Sequence, residues 1–213
     1  MSNLPDLAIS WKNLRPSFFS AKAGDIWENS GGIPAGTTTA IIARSGAGKT
    51  SLFSFFAGLG KDFSGQLHVL GLEPQKTSLR QLRRSRLAIV PQQLDLIADI
   101  SCMENVLLNN EIQPKPLYQH QIESMFNHLE AGHLIHKLPQ QCSLGEQQRV
   151  AIIRSLCQQY ELLLLDEPFS HLDDETAQAA WQLIQKNRPQ ASTIVISLLN
   201  HLPHLQCDQE LFL

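Results

Sequence analysis

The chain alternates short apolar runs with stretches that have a helical pattern. Thr37–Ala43 is apolar and β-branched, Glu161–Leu165 contains four consecutive leucines, and Thr193–Leu198 is mostly apolar. Continuous apolar runs of this length predict strands that are buried on both faces of a parallel sheet. Helices are expected over Gly145–Gln158 and over Asp173–Asn187, the second with Asp173 as its N-cap. The pattern therefore predicts an α/β fold.

The amino-terminal part of the chain has a weaker pattern. Leu7–Trp11 and Asp25–Glu28 alternate apolar and polar residues and are interrupted by glycines and prolines. Such segments favour an antiparallel edge sheet. One more strand is predicted over Leu87–Val90, and a short last strand is predicted at the end of the sequence.

Residues from about 93 to 140 have no strand pattern. Ser101 with Glu104 is typical of a capping box, which predicts a short helix that extends through Leu108. Within Leu117–Leu129 apolar and aromatic residues recur at helical spacing, and we expect these residues in the core: Tyr118, Ile122, Met125, Phe126 and Leu129. The sequence therefore predicts a helical insertion, placed at about residues 93–155, in an α/β domain that spans residues 1–213.

The composition narrows the class of protein. With 213 residues, 43% hydrophobic content and a formal net charge of -3, the chain is long enough for one sizeable core and has no overall positive charge. A local basic cluster is interpreted as a solvated helix face or as a partner contact: Arg80, Arg83, Arg84 and Arg86. We therefore expect no nucleic-acid partner.

Cysteine spacing and hydrophobicity further narrow the class of protein, by their bearing on disulfides, zinc sites and membrane spans. Cys102, Cys142, Cys157 and Cys207 lack C-x-x-C spacing, which predicts free thiols in a reducing compartment and no zinc site. The sequence also lacks an uncharged apolar run long enough to cross a membrane. Any role at a membrane is therefore expected to depend on another chain.

A glycine-rich segment follows the first predicted buried strand. Residues Ala43–Thr50 read A-R-S-G-A-G-K-T and lead into a helical pattern over Ser51–Leu59. The glycines allow the backbone to curl so that its N–H groups face the oxygens of a phosphate, and the start of the helix adds its positive dipole end. Lys49 can reach the β- and γ-phosphates, and the Thr50 hydroxyl can ligate Mg²⁺. The alternative is a plain glycine turn before a helix.

The predicted nucleotide-binding residues of this segment are Ala43, Arg44, Ser45, Gly46, Ala47, Gly48, Lys49, Thr50 and Ser51.

Two adjacent carboxylates follow the run of leucines. A buried strand delivers Asp166 to the edge of the sheet, where it can orient the water shell of Mg²⁺. Because side chains alternate along a strand, Glu167 can polarise the attacking water as a general base. The alternative is an acidic strand end at a turn before Pro168.

A third motif lies between the glycine loop and the two carboxylates. Residues Gln140–Arg149 read QQCSLGEQQR. In this order the three motifs make the chain resemble the ATP-binding subunit of an ABC transporter over nearly its whole length. The resemblance implies a P-loop NTPase core with a mostly parallel sheet, an N-terminal antiparallel β subdomain and an inserted helical subdomain, within a single ABC ATPase domain.

The resemblance also implies ligands and partners. ATP and Mg²⁺ are the expected ligands, and a second ATP-binding subunit and a separate transmembrane permease subunit are the expected partners. ATP-driven closure of the dimer would energise transport, with the chain peripheral on the inner face of the plasma membrane. The run Arg84–Val106, with Ser101, Glu104, Asn105 and Val106 after the glutamine loop, is similar to the branch that serves lipoprotein release and macrolide export.

Further site residues follow from the same resemblance. Ser143, Gly145 and Glu146, with Gln147, correspond to the signature block that contacts the γ-phosphate bound by the second subunit. Alone, this block could be a capped helix with nothing bound.

Two more residues link the site to its surroundings in this family. Gln92 corresponds to the glutamine loop, with a catalytic and metal-binding role, and Gln93 is the competing choice. Asp173 corresponds to the D-loop residue that crosses to the opposite site, and it could equally be only an N-cap.

Three departures from the family pattern bear on activity. Ala43 replaces the first glycine of the phosphate loop, and little effect is expected. Leu144 replaces the first glycine of the signature, which places a bulky side chain where backbone approaches phosphate. The switch histidine would fall at Leu199, whereas the nearest histidine is His201, a displacement of about 7 Å on an extended segment.

These departures leave alternatives open. A degenerate subunit of a heterodimer, with little hydrolysis, is the second hypothesis, and an ABC-type ATPase acting on DNA or ribosomes is a disfavoured third. The aromatic residue that stacks on adenine also stays open, with Phe18 and Phe19 ahead of Trp27 and Trp11.

Overall fold

The computed structural model describes residues 6–17, 24–76, 82–187, 190–197 and 206–213. The described residues form two compact units. The sheet unit draws on Met1–Ile89, Tyr160–Glu167 and Gln190–Leu213, and the helical unit draws on Val90–Gln159 and Pro168–Pro189. None of the helices described has the length and apolar character needed to span a bilayer.

In chain order the strands are β1 (Leu7–Pro16), β2 (Ser30–Pro34), β3 (Thr38–Ile42), β4 (Phe63–Val69), β5 (Leu87–Val90), β6 (Leu162–Asp166), β7 (Ser192–Ser197) and β8 (Gln209–Phe212). The α-helices are α1 (Lys49–Phe56), α2 (Leu82–Ser85), α3 (Cys102–Glu111), α4 (Gln119–His128), α5 (Leu144–Leu156) and α6 (Asp174–Asn187).

The larger sheet confirms the predicted α/β class. Within the described part of the chain its five strands have the order β5-β6-β7-β3-β8, and the pairs β3–β7, β3–β8 and β6–β7 are parallel. Every residue of β6 is buried, as the leucine run predicts. The predicted last strand is β8. Because β3 and β6 are parallel strands of one sheet, both deliver the residues that follow them to the same edge.

The smaller sheet is antiparallel, with the order β2-β1-β4 among the described residues. The expected strand over Asp25–Glu28 is wrong, because the strand is β2, which contains Gly31 and Gly32. A Cβ added at Gly31 would lie 2.6 Å from the ring of Trp11. These glycines therefore allow close packing in a strand, where the sequence pattern suggested a break.

The helical unit largely follows the predicted pattern. The capping box at Ser101 and Glu104 is formed at the start of α3. In α4, Ile122 and Phe126 are fully buried, whereas Tyr118 is 72% exposed, so its assignment to the core is wrong. Tyr118 is the N-cap of α4 and lies ahead of the buried face.

The basic cluster is only partly described, and two of its members have partners inside the sheet unit. Arg83 donates to the carbonyl of Ala57 at the end of α1, at 2.9 Å. Arg86 pairs with the Glu161 carboxylate at 2.6 Å and 2.7 Å. A purely solvated face is therefore wrong for these two arginines.

The cysteines are free thiols, as expected. The sulfur atoms of Cys102 and Cys142 lie 3.8 Å apart in the interior of the helical unit. Burial and the neighbouring Cys142 thiol raise the pKa of Cys102 to about 12, and burial raises the pKa of Cys157 to about 12. These thiols are therefore protonated at neutral pH and weakly nucleophilic.

Candidate nucleotide-binding site

The candidate site begins at the glycine-rich loop between β3 and α1. Gly46 and Gly48 have φ angles of 78° and 99°, which glycine adopts without the steric cost of a side chain. A Cβ added at Gly46 would meet nothing within 4 Å, so the loop is open on that side. Gly48 is the N-cap of α1 and no side chain caps the helix. The first-turn N–H groups and the positive end of the helix dipole therefore suit an anion.

All the predicted phosphate-binding residues, numbers 43 to 51, lie on this loop and on the first turn of α1. The helix begins at Lys49, earlier than the expected Ser51. Thr50 is exposed in the first turn, where its hydroxyl is accessible to a metal ion carried by phosphates.

Trp27 supports the loop from the core. Its indole N–H donates to the carbonyl of Ala47 at 3.0 Å. Trp27 and Trp11 are 0% and 4% exposed, so neither ring offers a free face to adenine in this structure. Phe18 and Phe19 lie outside the described residues.

Lys49 faces the carboxylates at the end of β6. Its amine lies 3.4 Å from Oε1 of Glu167, and the two side chains are 12% and 9% exposed. Glu167 has a positive φ of 48°, an uncommon conformation for a residue with a side chain. Its backbone N–H donates to the carbonyl of Ile196 on β7 at 2.8 Å. This hydrogen bond holds the unusual backbone conformation of Glu167, the predicted general base, against the sheet.

Asp166 is the last residue of β6 and is 2% exposed. Burial, followed by the neighbouring charge of Glu167, raises the pKa of Asp166 to about 6, against an opposing contribution from Lys49. A buried carboxylate with a raised pKa next to a cation is typical of functional sites. An added divalent cation would favour its ionised form.

The donor set fits a magnesium ion that is held mainly by phosphates. In the described part of the chain, no three His, Cys, Asp or Glu side chains converge to hold a metal ion by themselves. Mg²⁺ bound with a nucleotide commonly takes only one or two protein ligands, besides water and phosphate oxygens. Thr50 and Asp166 are two oxygen donors of the required type in the sheet unit.

The glutamine-loop candidates belong to the helical unit. Gln92 and Gln93 both follow β5 and both are exposed. The two glutamines are therefore equally accessible candidates for the glutamine loop.

The signature block starts α5. Ser143 is the N-cap, its side chain accepts from the N–H of Glu146 at 3.3 Å, and its own N–H donates to the Glu146 carboxylate at 2.7 Å. The hydrogen bonds from Ser143 and His133 lower the pKa of Glu146 to about 2. The block is thus a fixed, exposed helix start with an ionised carboxylate beside it.

Contacts behind the signature helix were not predicted from the sequence. Gly145 packs so closely that an added Cβ would lie 2.5 Å from the carbonyl oxygen of His171. Gln148 is 2% exposed, and its side-chain oxygen accepts from the N–H of His171 at 3.3 Å. No local sequence pattern indicates these contacts, because the burial of Gln148 is created only by the folded chain.

Asp173 and Leu144 both lie on the surface of the helical unit. The Asp173 carboxylate accepts from the N–H of Thr176 at 2.8 Å, as an N-cap of α6 does. This hydrogen bond lowers the pKa of Asp173. Leu144 is 57% exposed beside Ser143. Leu199 and His201 lie outside the described residues.

The strand, the glycine loop and the helix, with Lys49 facing an Asp-Glu pair at the sheet edge, define a P-loop nucleotide-binding protein. The ABC transporter family model matches residues 28–170, and the chain belongs to this family. The chain is 35% identical over 158 residues to the lipoprotein-releasing system ATP-binding protein LolD of Buchnera aphidicola, covering 71% of this chain and 69% of that protein.

Two further comparisons agree with the family. The chain is 34% identical to the macrolide export ATP-binding/permease protein MacB of Campylobacter jejuni over 81% of its own length, but it spans only 28% of that protein. A solved dimeric ATP-binding cassette in a post-hydrolysis state, bound to ADP and Pi, has the same fold, with a TM-score of 0.75 at 23% identity over 89% of this chain and 87% of that chain. The predicted P-loop NTPase fold and the resemblance to ABC ATP-binding subunits are confirmed.

Proposed function

We propose that the chain binds and hydrolyses ATP as the nucleotide-binding subunit of an ABC transporter, driving transport through a separate membrane subunit. The ion pair between Lys49 and Glu167 supports this proposal most directly, because the two side chains assigned to phosphate binding and to general base catalysis lie in contact. The open glycine loop and the buried Asp166 at the edge of the sheet supply the anion site and a metal ligand.

Each candidate site residue has a proposed chemical role. Lys49 and the loop N–H groups hold the phosphates, and Thr50 and Asp166 hold Mg²⁺, which when bound neutralises charge on the phosphate oxygens. Glu167 takes a proton from the attacking water once the phosphates engage Lys49. Gln92 and His201 are proposed to orient the water and contact the γ-phosphate.

The helical unit supplies the groups that act in trans. Ser143 and the start of α5 form an exposed anion site, with Gly145 and Glu146 fixing its geometry. Asp173 is exposed and can contact a second subunit while capping α6. We infer that two chains, or this chain and a related one, close around two ATP molecules, and that loss of the γ-phosphate reopens them.

The membrane partner is inferred from the relatives. LolD belongs by name to a lipoprotein-releasing system, and MacB is by name an ATP-binding protein joined to a permease. On this basis the chain acts on the inner face of the plasma membrane beside a permease of that branch. The helical unit exposes Leu108 and Ile112 one helical turn apart, which suits contact with a protein partner.

Equilibrium binding of Mg-ATP tests the proposal directly. The parent chain is expected to bind Mg-ATP, and Lys49→Ala is expected to reduce the affinity at least about tenfold, since a charge-assisted contact to phosphate is lost. Lys61→Ala, which removes an exposed lysine elsewhere in the sheet unit, is the matched control and should leave binding unchanged. Equal affinity of all three proteins would overturn the proposal.

A degenerate subunit with little hydrolysis is the second candidate. The observation that favours it is Leu144, a large exposed side chain beside the Ser143 anion site. If Leu144 obstructs closure in trans, Leu144→Gly should strengthen ATP-dependent self-association measured by light scattering in a Glu167→Gln background. Unchanged association would remove the reason for this candidate.

A further inference from the structure

We propose that Trp27 is a positioning residue for the phosphate loop, fixing the orientation of the peptide unit between Ala47 and Gly48. This inference rests on the proposed binding of phosphate at that loop. Its basis is the hydrogen bond of 3.0 Å from the Trp27 indole N–H to the Ala47 carbonyl, which joins two residues 20 positions apart.

The indole is held rigidly. Trp27 is 0% exposed, and its ring meets the ring of Phe55 edge to face, with centroids 6.4 Å apart and planes at 76°. Phe55 is part of α1, the helix that the loop enters. The backbone of Trp27 forms a bridge with Leu14 of β1. Trp27 is therefore held in place by contacts with both α1 and β1.

The geometry of the peptide unit explains how this hydrogen bond orients the Gly48 N–H. In a trans peptide the C=O of one residue and the N–H of the next point in opposite directions. A donor that holds the Ala47 carbonyl on the core side therefore directs the Gly48 N–H away from Trp27. An anion site needs such N–H groups directed at the ligand, and a carbonyl in the same place would repel phosphate.

The loop needs this support because glycines flank Ala47 on both sides. Gly46 and Gly48 have φ angles of 78° and 99°, and glycine exchanges between such conformations at little steric cost. Without the indole donor, the peptide unit would populate more than one orientation. Trp27 thus reduces the conformational freedom that nucleotide binding must otherwise remove.

The other tryptophans provide a comparison within the same chain. The indole nitrogens of Trp11 and Trp181 are buried, and neither has a hydrogen-bond partner in the described structure. Trp11 packs in the same core cluster as Trp27. Trp11→Phe therefore removes a bicyclic ring from that core without removing a hydrogen bond to the loop, which makes it a matched control for Trp27→Phe.

The test measures the dissociation constants of Mg-ATP and Mg-ADP for the parent, Trp27→Phe and Trp11→Phe, together with the Tm of each nucleotide-free protein. Trp27→Phe is expected to weaken both nucleotides about three- to tenfold, as the loss of one neutral hydrogen bond implies. Trp11→Phe is expected to lower the Tm without changing affinity. Unchanged affinity in Trp27→Phe, or an equal loss in Trp11→Phe, would overturn the inference.

A second variant separates the N–H group from ring packing. Benzothienylalanine at position 27 keeps the bicyclic shape but has sulfur where tryptophan has N–H, so it should reproduce the affinity loss with little change in Tm. Amide spectra of the nucleotide-free protein add a readout that needs no nucleotide. The Gly46 and Gly48 resonances should shift or broaden in this variant and not in Trp11→Phe.

These readouts distinguish the inference from the proposed function. A parent chain that fails to bind Mg-ATP would contradict the proposed function, while the glycine resonances would still decide the role of Trp27. Glycine resonances that are identical in the parent and in the benzothienylalanine variant would overturn that role whatever the binding result.

Discussion

The amine of Lys49 lies 3.4 Å from the Glu167 carboxylate, and both side chains are largely buried. The proposed phosphate-binding cation and the proposed general base therefore neutralise each other in the nucleotide-free chain. On the proposed function, phosphates that engage Lys49 would compete with this ion pair and release the carboxylate to act on water. The ion pair would then link nucleotide binding to the availability of the proposed base.

Replacing the base should tighten nucleotide binding. Glu167→Gln removes the competitor for Lys49, and we expect Mg-ATP to bind about three- to tenfold more tightly, the range for a partly buried ion pair worth about 1 kcal/mol. Binding would be measured by equilibrium dialysis before turnover. Glu161→Gln, a like change at an exposed carboxylate of the sheet unit, serves as the control. Weaker or unchanged binding in Glu167→Gln would contradict the competition.

Asp166 predicts a specific dependence of stability on pH. Its folded pKa of about 6 exceeds its ordinary value of 3.8, so between these pH values the folded chain holds a proton that the unfolded chain has lost. Stability due to this group therefore falls as pH rises from about 4 to 6, by at most about 3 kcal/mol, and the penalty is absent at lower pH.

The matched experiment compares urea unfolding of the parent and Asp166→Asn from pH 4 to pH 7 without Mg²⁺ or nucleotide. The stability advantage of Asp166→Asn should grow across that window and then level off, because the other titrating groups are shared. An advantage that shrinks with rising pH would show that the carboxylate is stabilised in its charged form.

Two Ser–Glu capping boxes among the described residues allow a structural role to be compared with a functional one. Ser101 caps α3 and Ser143 caps α5, each with a glutamate three residues later. Replacing either serine by alanine should cost about 1 kcal/mol of unfolding free energy. Only Ser143→Ala is expected also to weaken ATP-dependent self-association, followed by light scattering in a Glu167→Gln background. Equal association of both variants would assign Ser143 a capping role alone.

The close packing at Gly145 predicts the direction in which Gly145→Ala changes the stability of the chain. In a helix, Gly→Ala normally stabilises by about 0.4 to 1 kcal/mol. Here the added Cβ would lie 2.5 Å from the carbonyl oxygen of His171, so Gly145→Ala should destabilise the chain, by about 1 to 3 kcal/mol for an overpacked site. Thermal unfolding measures this directly, and a rise in Tm would contradict the close packing.

Much of the fold could be predicted because its signals are local. The leucine run of β6, the glycine loop and the capping boxes each depend on neighbouring residues, and each lies where the sequence indicates. Strand β2 was missed because its glycines are explained only by residues of another strand, Trp11 packing at Gly31 and Leu7 at Gly32. Strand β4 was missed because three consecutive positions of its seven, Ser64, Gly65 and Gln66, are exposed and not apolar, which leaves a weak pattern.

The motifs predicted the candidate residues of the site but not the contacts between them. Lys49, Asp166 and Glu167 were identified by motif, but the ion pair and the raised pKa of Asp166 depend on burial that only the folded chain creates. The contact between Trp27 and the loop joins residues that no local pattern connects. The sequence therefore predicts which groups act, and the tertiary structure determines how they are oriented and charged.

Steady-state phosphate release from Mg-ATP by the parent, Glu167→Gln and His201→Ala distinguishes an autonomous ATPase from a degenerate subunit. We expect release by the parent and a loss of at least about a hundredfold in Glu167→Gln, as for removal of a general base. A comparable loss in His201→Ala would assign the switch role to that histidine. Binding of Mg-ATP that requires Lys49 without any phosphate release by the parent would contradict an autonomous ATPase and favour the degenerate subunit.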